Sequence, residues 1–200
     1  LAAAMSSAPL ARPLVALLPV TPKPKPQVEV SARYTGIPAH QAYDDIVQLA
    51  CMICEAPVAS VTLIDHDRQW FKASTGFGVS QTPRSEAVCD VAIRTPDRML
   101  EVSDLHKDAR TPMRPVDADG QTLRFYAGMP LLSADGHPLG TVCVLDHAPR
   151  TLTPAQRQAL VALARQVQHL LALRRYVVQQ RDLLQQRLAD AERLEQARAD

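Results

Sequence analysis

From Pro154 to Arg198 the chain runs about 45 residues with no glycine and no further proline, and this stretch constrains the fold more than any other. A proline is tolerated in the first turn of a helix, where its missing N–H is not needed, and breaks one from within. Thr153, just ahead of Pro154, offers an N-cap oxygen, and Gln156 completes a capping box. At about 1.5 Å per residue the predicted helix spans roughly 65 Å, far beyond what a domain of this size covers, so its distal half needs another partner. With Leu160 at heptad position a, Leu163 falls at d, Val167 at a, Leu170 at d, Arg174 at a, Val177 at d, Arg181 at a, Leu184 at d, Leu188 at a and Ala191 at d. The pattern predicts a coiled coil, weakened but fixed in register by arginines at two a positions. A homodimer is expected through Leu163, Val167, Leu170, Arg174, Val177, Arg181, Leu184 and Leu188; the alternative is a solitary solvated helix.

Ahead of that helix the pattern changes several times. Residues 1–5 read as a tag before a start at Met5, and six prolines by Pro26 prevent regular structure, so residues 1–33 read as a disordered tail with a stiff TPKPKP spacer. From near Pro38, Tyr43, Ile46, Val47, Ala50, Ile53 and Cys54 recur at three- and four-residue steps and predict an amphipathic helix. Beyond Pro57 the period becomes two through Ile64, followed by the turn-rich Asp65-His66-Asp67-Arg68 and QWFKAST, which predicts a hairpin. Glu86 to Arg94 reads as a short helix and Met99 to Val102 as a short strand. The segment DLHKDARTPMRP is long for a compact domain, so it is a pocket lid or a loose insertion. LRFYAGMPLLS and LGTVCVLD read as strong strands around Ala134-Asp135-Gly136-His137, whose Asp-Gly step marks a tight turn. The fold class expected is α+β, a mostly antiparallel sheet with helices on its faces, in a domain over residues 34–152 followed by the helix of 153–200.

Composition removes several function classes. The chain carries 22 Lys and Arg against 21 Asp and Glu, and residues 57–152 hold 10 basic against 12 acidic side chains, without the basic excess of a nucleic-acid surface. No apolar run approaches the roughly 18 residues of a membrane span. Four cysteines, Cys51, Cys54, Cys89 and Cys143, are too few for a disulfide scaffold, so reduced thiols and a cytoplasmic setting are expected. Cys51-x-x-Cys54 lies inside a helical pattern with no second half-site, which makes both core thiols and predicts no metal. Phosphate loops, GGDEF, HExxH and GxSxG are all missing, and His169 lacks the surroundings of a phosphoacceptor.

Three stretches, VASVTLIDHDRQWFKASTGF, SQTPRSEAVCDVAI and LRFYAGMPLLSADGHPLGTVCVLDHAPRTLTPAQRQALVALARQV, resemble the GAF domain, in particular the bacterial subgroup found ahead of diguanylate cyclase and histidine kinase domains. The resemblance covers roughly residues 40–175. It implies a five- or six-stranded antiparallel sheet flanked by helices, a ligand pocket on one face, dimerisation by terminal helices and signalling along the C-terminal one. The chain is thus expected to be a non-catalytic sensor controlling an output domain, or alternatively a purely structural dimerisation domain with a filled pocket.

Five of the eight aromatics lie between residues 70 and 126, where the resemblance puts the pocket. Candidate ligand contacts are Trp70, Phe71, Cys89, Asp104, His106, Arg110, Arg124, Tyr126, Thr141 and Cys143. Each also has a structural reading: the rings as core, and Arg124 as the partner of an acidic residue across the sheet. No cofactor is identified. Cys89 is followed by Asp90 rather than histidine, which argues against a covalent bilin; Val91 stands where close relatives carry histidine; cyclic-nucleotide motifs are missing; only His106 is placed as a haem ligand. Cys89 also resembles the reactive thiol of the free-methionine sulfoxide reductases, a minor alternative for which the segment before Arg124 supplies no second cysteine.

Overall fold

The computed structural model describes residues 41–199, so the tail of residues 1–33 lies outside the described residues. Helix α1 (Gln41–Cys54) leads into the hairpin β1 (Val58–Ile64) and β2 (Arg68–Thr75), then β3 (Gln81–Pro83), a 3-10 turn (Arg84–Glu86), α2 (Val88–Ala92), β4 (Leu100–Val102), β5 (Phe125–Leu132), β6 (Pro138–Asp146) and α3 (Pro154–Ala199). The six strands form one sheet in the order β3-β2-β1-β6-β5-β4, antiparallel at every pairing. No helix among the described residues is long and apolar enough to cross a membrane.

Alternation along each strand sorts its side chains between two faces. One face carries Ala59, Val61, Leu63, Phe125, Ala127, Leu131, Leu139, Val142 and Val144 against Tyr43, Val47 and Ala50 of α1 and Leu160, Ala164, Val167 and Leu171 of α3. The opposite face presents Val58, Ile64, Tyr126, Cys143 and Leu145 to α2 and the loops around it. At the centre Gly140 is required: a Cβ there would lie 1.9 Å from the Thr62 carbonyl oxygen, so only glycine lets β6 approach β1 this closely.

β2 does not keep one parity throughout. Trp70 pairs with Leu63, Phe71 with Thr62 and Ala73 with Val61, so Lys72 is an extra residue in a bulge. Its ammonium lies 5.1 Å from the centre of the Trp70 ring and 5.2 Å from that of Tyr43. Burial first and the Arg174 charge second pull its pKa down to about 8.

α3 starts as the sequence predicts, with the Gln156 N–H donating to Thr153 Oγ1 at 3.2 Å and the Thr153 N–H donating to Gln156 Oε1 at 3.0 Å. The expected seam needs correction over its first half. Val167 is fully buried in the domain's own core, and Leu163 and Leu170 are half-buried against that same core, so these side chains are taken by their own domain. Arg174 is half-buried too, with its charge acting on Tyr43 and Lys72. The buried stripe of Leu160, Ala164, Val167 and Leu171 follows the 3.6-residue period of a helix lying on a sheet. Beyond it Val177, Arg181, Leu184 and Leu188 are exposed, on roughly 35 Å of helix from Val177 onward that carries no buried side chain among the described residues.

Candidate functional site

A cavity of about 650 Å³ opens on the sheet face opposite α3. Its floor is Ser60, Gln69, Phe71, Tyr126, Cys143 and Leu145 from four neighbouring strands, Val88 and Cys89 of α2 form one wall, and Pro112 to Ala118 cover it. Phe71 and Phe77 meet at 4.8 Å between ring centres and make its aromatic side. That volume, with apolar walls and a few polar groups, is in the range that holds a small organic molecule.

The covering segment is tied down at both ends. The Ala118 N–H donates to the Gly76 carbonyl at 2.8 Å, and the Leu123 N–H to the Pro115 carbonyl at 2.9 Å. Asp117 accepts the Gln121 and Asp119 N–H groups and meets His147 Nε2 at 2.8 Å. Burial pushes the Asp117 carboxyl up, but the His147 contact and the two N–H donors hold it below its ordinary value. His147 directly follows β6, so the cover touches the connection between the sheet and the long helix.

A buried network of hydroxyls and thiols lies beneath the cavity. Thr141 Oγ1 donates to Cys89 Sγ at 3.1 Å, and the Tyr126 hydroxyl donates to it at 3.4 Å. Thr62 and Thr141 hydroxyls meet at 3.1 Å, Ser60 Oγ and Cys143 Sγ at 3.2 Å, and the two sulfurs of Cys89 and Cys143 at 3.9 Å. Burial alone would push the Cys89 thiol up; hydrogen bonds from Cys143, Thr141, Thr62 and Tyr126 outweigh it and bring the pKa down to about 6. Cys143 moves the opposite way, because a thiolate at Cys89 requires its proton as a donor and because it is buried. Gly128 makes the Tyr126 contact possible: a Cβ there would lie 2.1 Å from the tyrosine oxygen, so the ring lies across the glycine.

Of the sequence-predicted contacts, Phe71, Cys89, Tyr126 and Cys143 line the cavity, and Thr141 lies directly behind Cys89. The other five are elsewhere. Trp70 points to the opposite face because it is one residue out of phase with Phe71 on β2. Arg124 donates to Asp104 at 2.6 Å in an ion pair outside the cavity, which satisfies both charges and holds Asp104 below its ordinary value. His106 is exposed, with its backbone N–H donating to Asp104 at 3.1 Å. Arg110 is bound to Asp108 through its Nε at 2.9 Å. The segment 104–115 is thus divided: its first half folds on its own ion pairs, and Pro112 onward covers the cavity.

Gln69, Ser60, Phe77, Met113 and Asp117 were not among the sequence-predicted contacts. Gln69 and Ser60 share parity with Phe71 and Thr62 and were open to the same reasoning; Phe77 and the cover belong to irregular backbone with no periodicity to read. Gln69 is 6% exposed, its Nε2 donates to Thr82 at 3.3 Å, and its Oε1 meets no partner among the described residues. No group of three or more His, Cys, Asp or Glu residues arranged to hold a metal occurs among the described residues.

The comparisons with known proteins agree with this architecture. The cyclic di-GMP phosphodiesterase PA2567 of Pseudomonas aeruginosa is 38% identical over 112 residues, a stretch covering 56% of this chain but only 19% of that protein. The GAF domain of an Acinetobacter phosphoenolpyruvate-protein phosphotransferase superposes with a TM-score of 0.57 at 18% identity, covering 72% of this chain and 89% of that one. A type II free methionine-R-sulfoxide reductase from Thermoplasma acidophilum superposes with a TM-score of 0.52 at 11% identity, covering 66% and 92%. At such identities both structures speak to the fold alone. The GAF domain family model matches residues 38–171, and with the sheet, the covered cavity and the flanking helices in place, the chain belongs to the GAF domain family of signalling sensor modules.

Proposed function

We propose that this chain is a regulatory sensor module that takes a small organic ligand in the cavity under residues 112–118 and passes its occupancy to α3. The observation that carries this reading is the Asp117–His147 contact at 2.8 Å, which joins the cavity cover to the segment leading into the long helix. A ligand acts only through its difference in affinity for two states, and a cover that settles differently on a filled cavity provides that difference. The connection is tightly fastened downstream. Arg150 donates from its backbone to the Ser103 carbonyl at 3.1 Å and from its guanidinium to the Cys54 and Glu55 carbonyls at 2.8 Å. Glu101 accepts the Leu152 N–H and pairs with Arg157 in the first turn of α3. A displacement at His147 is therefore carried to the root of the helix rather than absorbed in a slack loop. A coupling of about 1–3 kcal/mol is the usual scale for such a link.

The exposed Val177, Leu184 and Leu188 support a homodimer through the distal half of α3, and the signal is a change in its rotation or register. The dimer controls an output domain such as a diguanylate cyclase or a histidine kinase, and any catalysis belongs to that domain; the similarity to a cyclic di-GMP phosphodiesterase fits this class of output. The same exposed side chains also favour a second reading, a purely structural dimerisation domain. Native mass spectrometry on protein purified from cells, set against its denatured mass, separates the two. A non-covalent adduct of defined mass is the expected result, and a clean ligand-free dimer overturns the sensor in favour of the scaffold.

A further inference from the structure

We propose that Cys89 and Cys143 form a thiol–disulfide redox site, in which a hydroperoxide entering the cavity oxidises Cys89 and Cys143 closes the disulfide. Neither the sensor reading nor the family requires this chemistry; it rests on the two sulfurs and their surroundings.

The sulfurs lie 3.9 Å apart on the wall of the same cavity, although 54 residues separate them in sequence. A disulfide needs about 2.05 Å, so side-chain rotation and a small shift of one backbone element must supply the rest. The element free to give is α2, five residues between loops, whereas β6 is locked between β1 and β5 at the centre of the sheet. Cys89 has what an attacking sulfur needs: two hydroxyl donors, Thr141 at 3.1 Å and Tyr126 at 3.4 Å, stabilise its thiolate, and the cavity admits a small oxidant. Cys143 is the thiol within reach, its Sγ 3.9 Å from that of Cys89; it keeps its proton while Cys89 is a thiolate and must give it up as it attacks the oxidised sulfur.

The Cys89 thiolate attacks the terminal oxygen of the hydroperoxide and the O–O bond breaks. Cys89 becomes a sulfenic acid, and the departing alkoxide or hydroxide takes up a proton from solvent. Cys143 then attacks the sulfenic sulfur, the S–O bond breaks, and water leaves with the thiol proton. Two thiols lose two electrons and two protons, and the peroxide becomes an alcohol or water, plus one water. The product ties α2 to the strand whose other face, Val142 and Val144, packs in the core shared with α3.

The other two cysteines are built-in controls. Burial raises the pKa of Cys51, and it drives Cys54 up to about 11. Trypsin separates all the candidates: one peptide over residues 34–68 holds Cys51 and Cys54, another over 85–94 holds Cys89, and a third over 125–150 holds Cys143. The reduced full-length chain is treated with one equivalent of hydrogen peroxide, quenched with an alkylating reagent and mapped. The expected product is a cross-link between 85–94 and 125–150, two hydrogens lighter than the sum and released by dithiothreitol. In Cys143→Ser a dimedone adduct accumulates on Cys89, and in Cys89→Ser peroxide consumption falls at least tenfold. The rate at Cys89 changes less than twofold between pH 7 and 8.5, where an ordinary thiol rises more than tenfold. Oxidation that begins at Cys51 or Cys54 overturns the proposal. So does a Cys89 sulfinate with Cys143 still alkylatable, or survival of both thiols. The mapping of the unmutated chain decides on its own, so a variant that fails to fold leaves the test intact.

Discussion

Two valine- and leucine-to-alanine changes on α3 separate the half of the helix that belongs to the domain from the half left for a partner. Val167 sits at a seam position in the heptad but is fully buried in the intramolecular core beside Leu160, Ala164 and Leu171. Val167→Ala removes two buried carbons, worth about 0.8 kcal/mol each in transfer, and adds a cavity term, for a total of roughly 1.5–3 kcal/mol. At about 2–4 °C per kcal/mol for a chain of this size, the melting temperature falls by roughly 3–12 °C. Because the contacts are within one chain, that loss is the same at every protein concentration. Leu188 is 64% exposed and touches no core, so Leu188→Ala leaves the intramolecular core untouched and is expected to weaken only the proposed homodimer. Thermal melts over a hundredfold range of concentration, with sedimentation equilibrium alongside, read both effects. A Val167→Ala loss that shrinks on dilution, or a Leu188→Ala loss that persists at the lowest concentration, refutes the division of the helix.

Two further changes test the electrostatics. Burial works against the Glu101 carboxylate, but the Arg157 bond at 2.6 Å and the Leu152 N–H prevail and keep its folded pKa below the ordinary 4.5. Its contribution is therefore complete above about pH 4.5 and is lost as the pH falls through the folded value. The melting-temperature gap between wild type and Glu101→Gln is expected to be positive at pH 7 and to close on acidification below 4.5; a gap constant across that range removes the ion pair from the argument. At the thiol network, Gly128→Ala places a methyl on the Tyr126 oxygen and pushes the ring off Cys89. Loss of one donor to a buried thiolate, at about 1.5–3 kcal/mol, moves the midpoint of the Cys89 alkylation-rate profile up by roughly one unit or more. Tyr126→Phe, which removes the hydroxyl without a clash, moves it the same way, and an unchanged profile in both excludes the tyrosine as a donor.

The extent to which sequence exposed this architecture depended on whether a feature was periodic. β1, β5, β6 and the helices were legible because an element half-exposed or buried on one face writes that face into its residue spacing. β3 was not, since its three residues, Gln81–Pro83, are mostly exposed and held through backbone pairing and an Arg68–Gln81 contact at 2.9 Å that no pattern announces. Trp70 and Phe71 were both offered as ligand contacts although neighbours on a strand point to opposite sides, and the bulge at Lys72 resets the count before Ala73. Charges misled for a different reason. Asp104, Arg110 and Arg124 have the chemistry of ligand contacts, yet each is satisfied by a neighbour in the chain, and only the fold reveals the pairing.

Cys89 and α3 show the same limit at longer range. Cys143 lies on an interior strand, as its sequence implied, but that part of the interior is the cavity floor, and no local signal places it beside a thiol 54 residues away. On α3 the heptad reading and the domain face share Leu160 and Val167 and diverge at Leu163 against Ala164 and at Leu170 against Leu171. Periods of 3.5 and 3.6 drift apart by only about 20° per heptad, so two turns of apolar residues serve a sheet or a partner helix equally well. What separates the two halves is where the sheet ends. Past Leu171 little of the domain remains beneath the helix, Arg175 contacts Asp135 in the β5–β6 turn at 3.8 Å, and the same apolar spacing continues with nothing among the described residues to bury it. The proximal face fixes how the helix leaves the domain, and the distal face keeps Val177, Leu184 and Leu188 exposed.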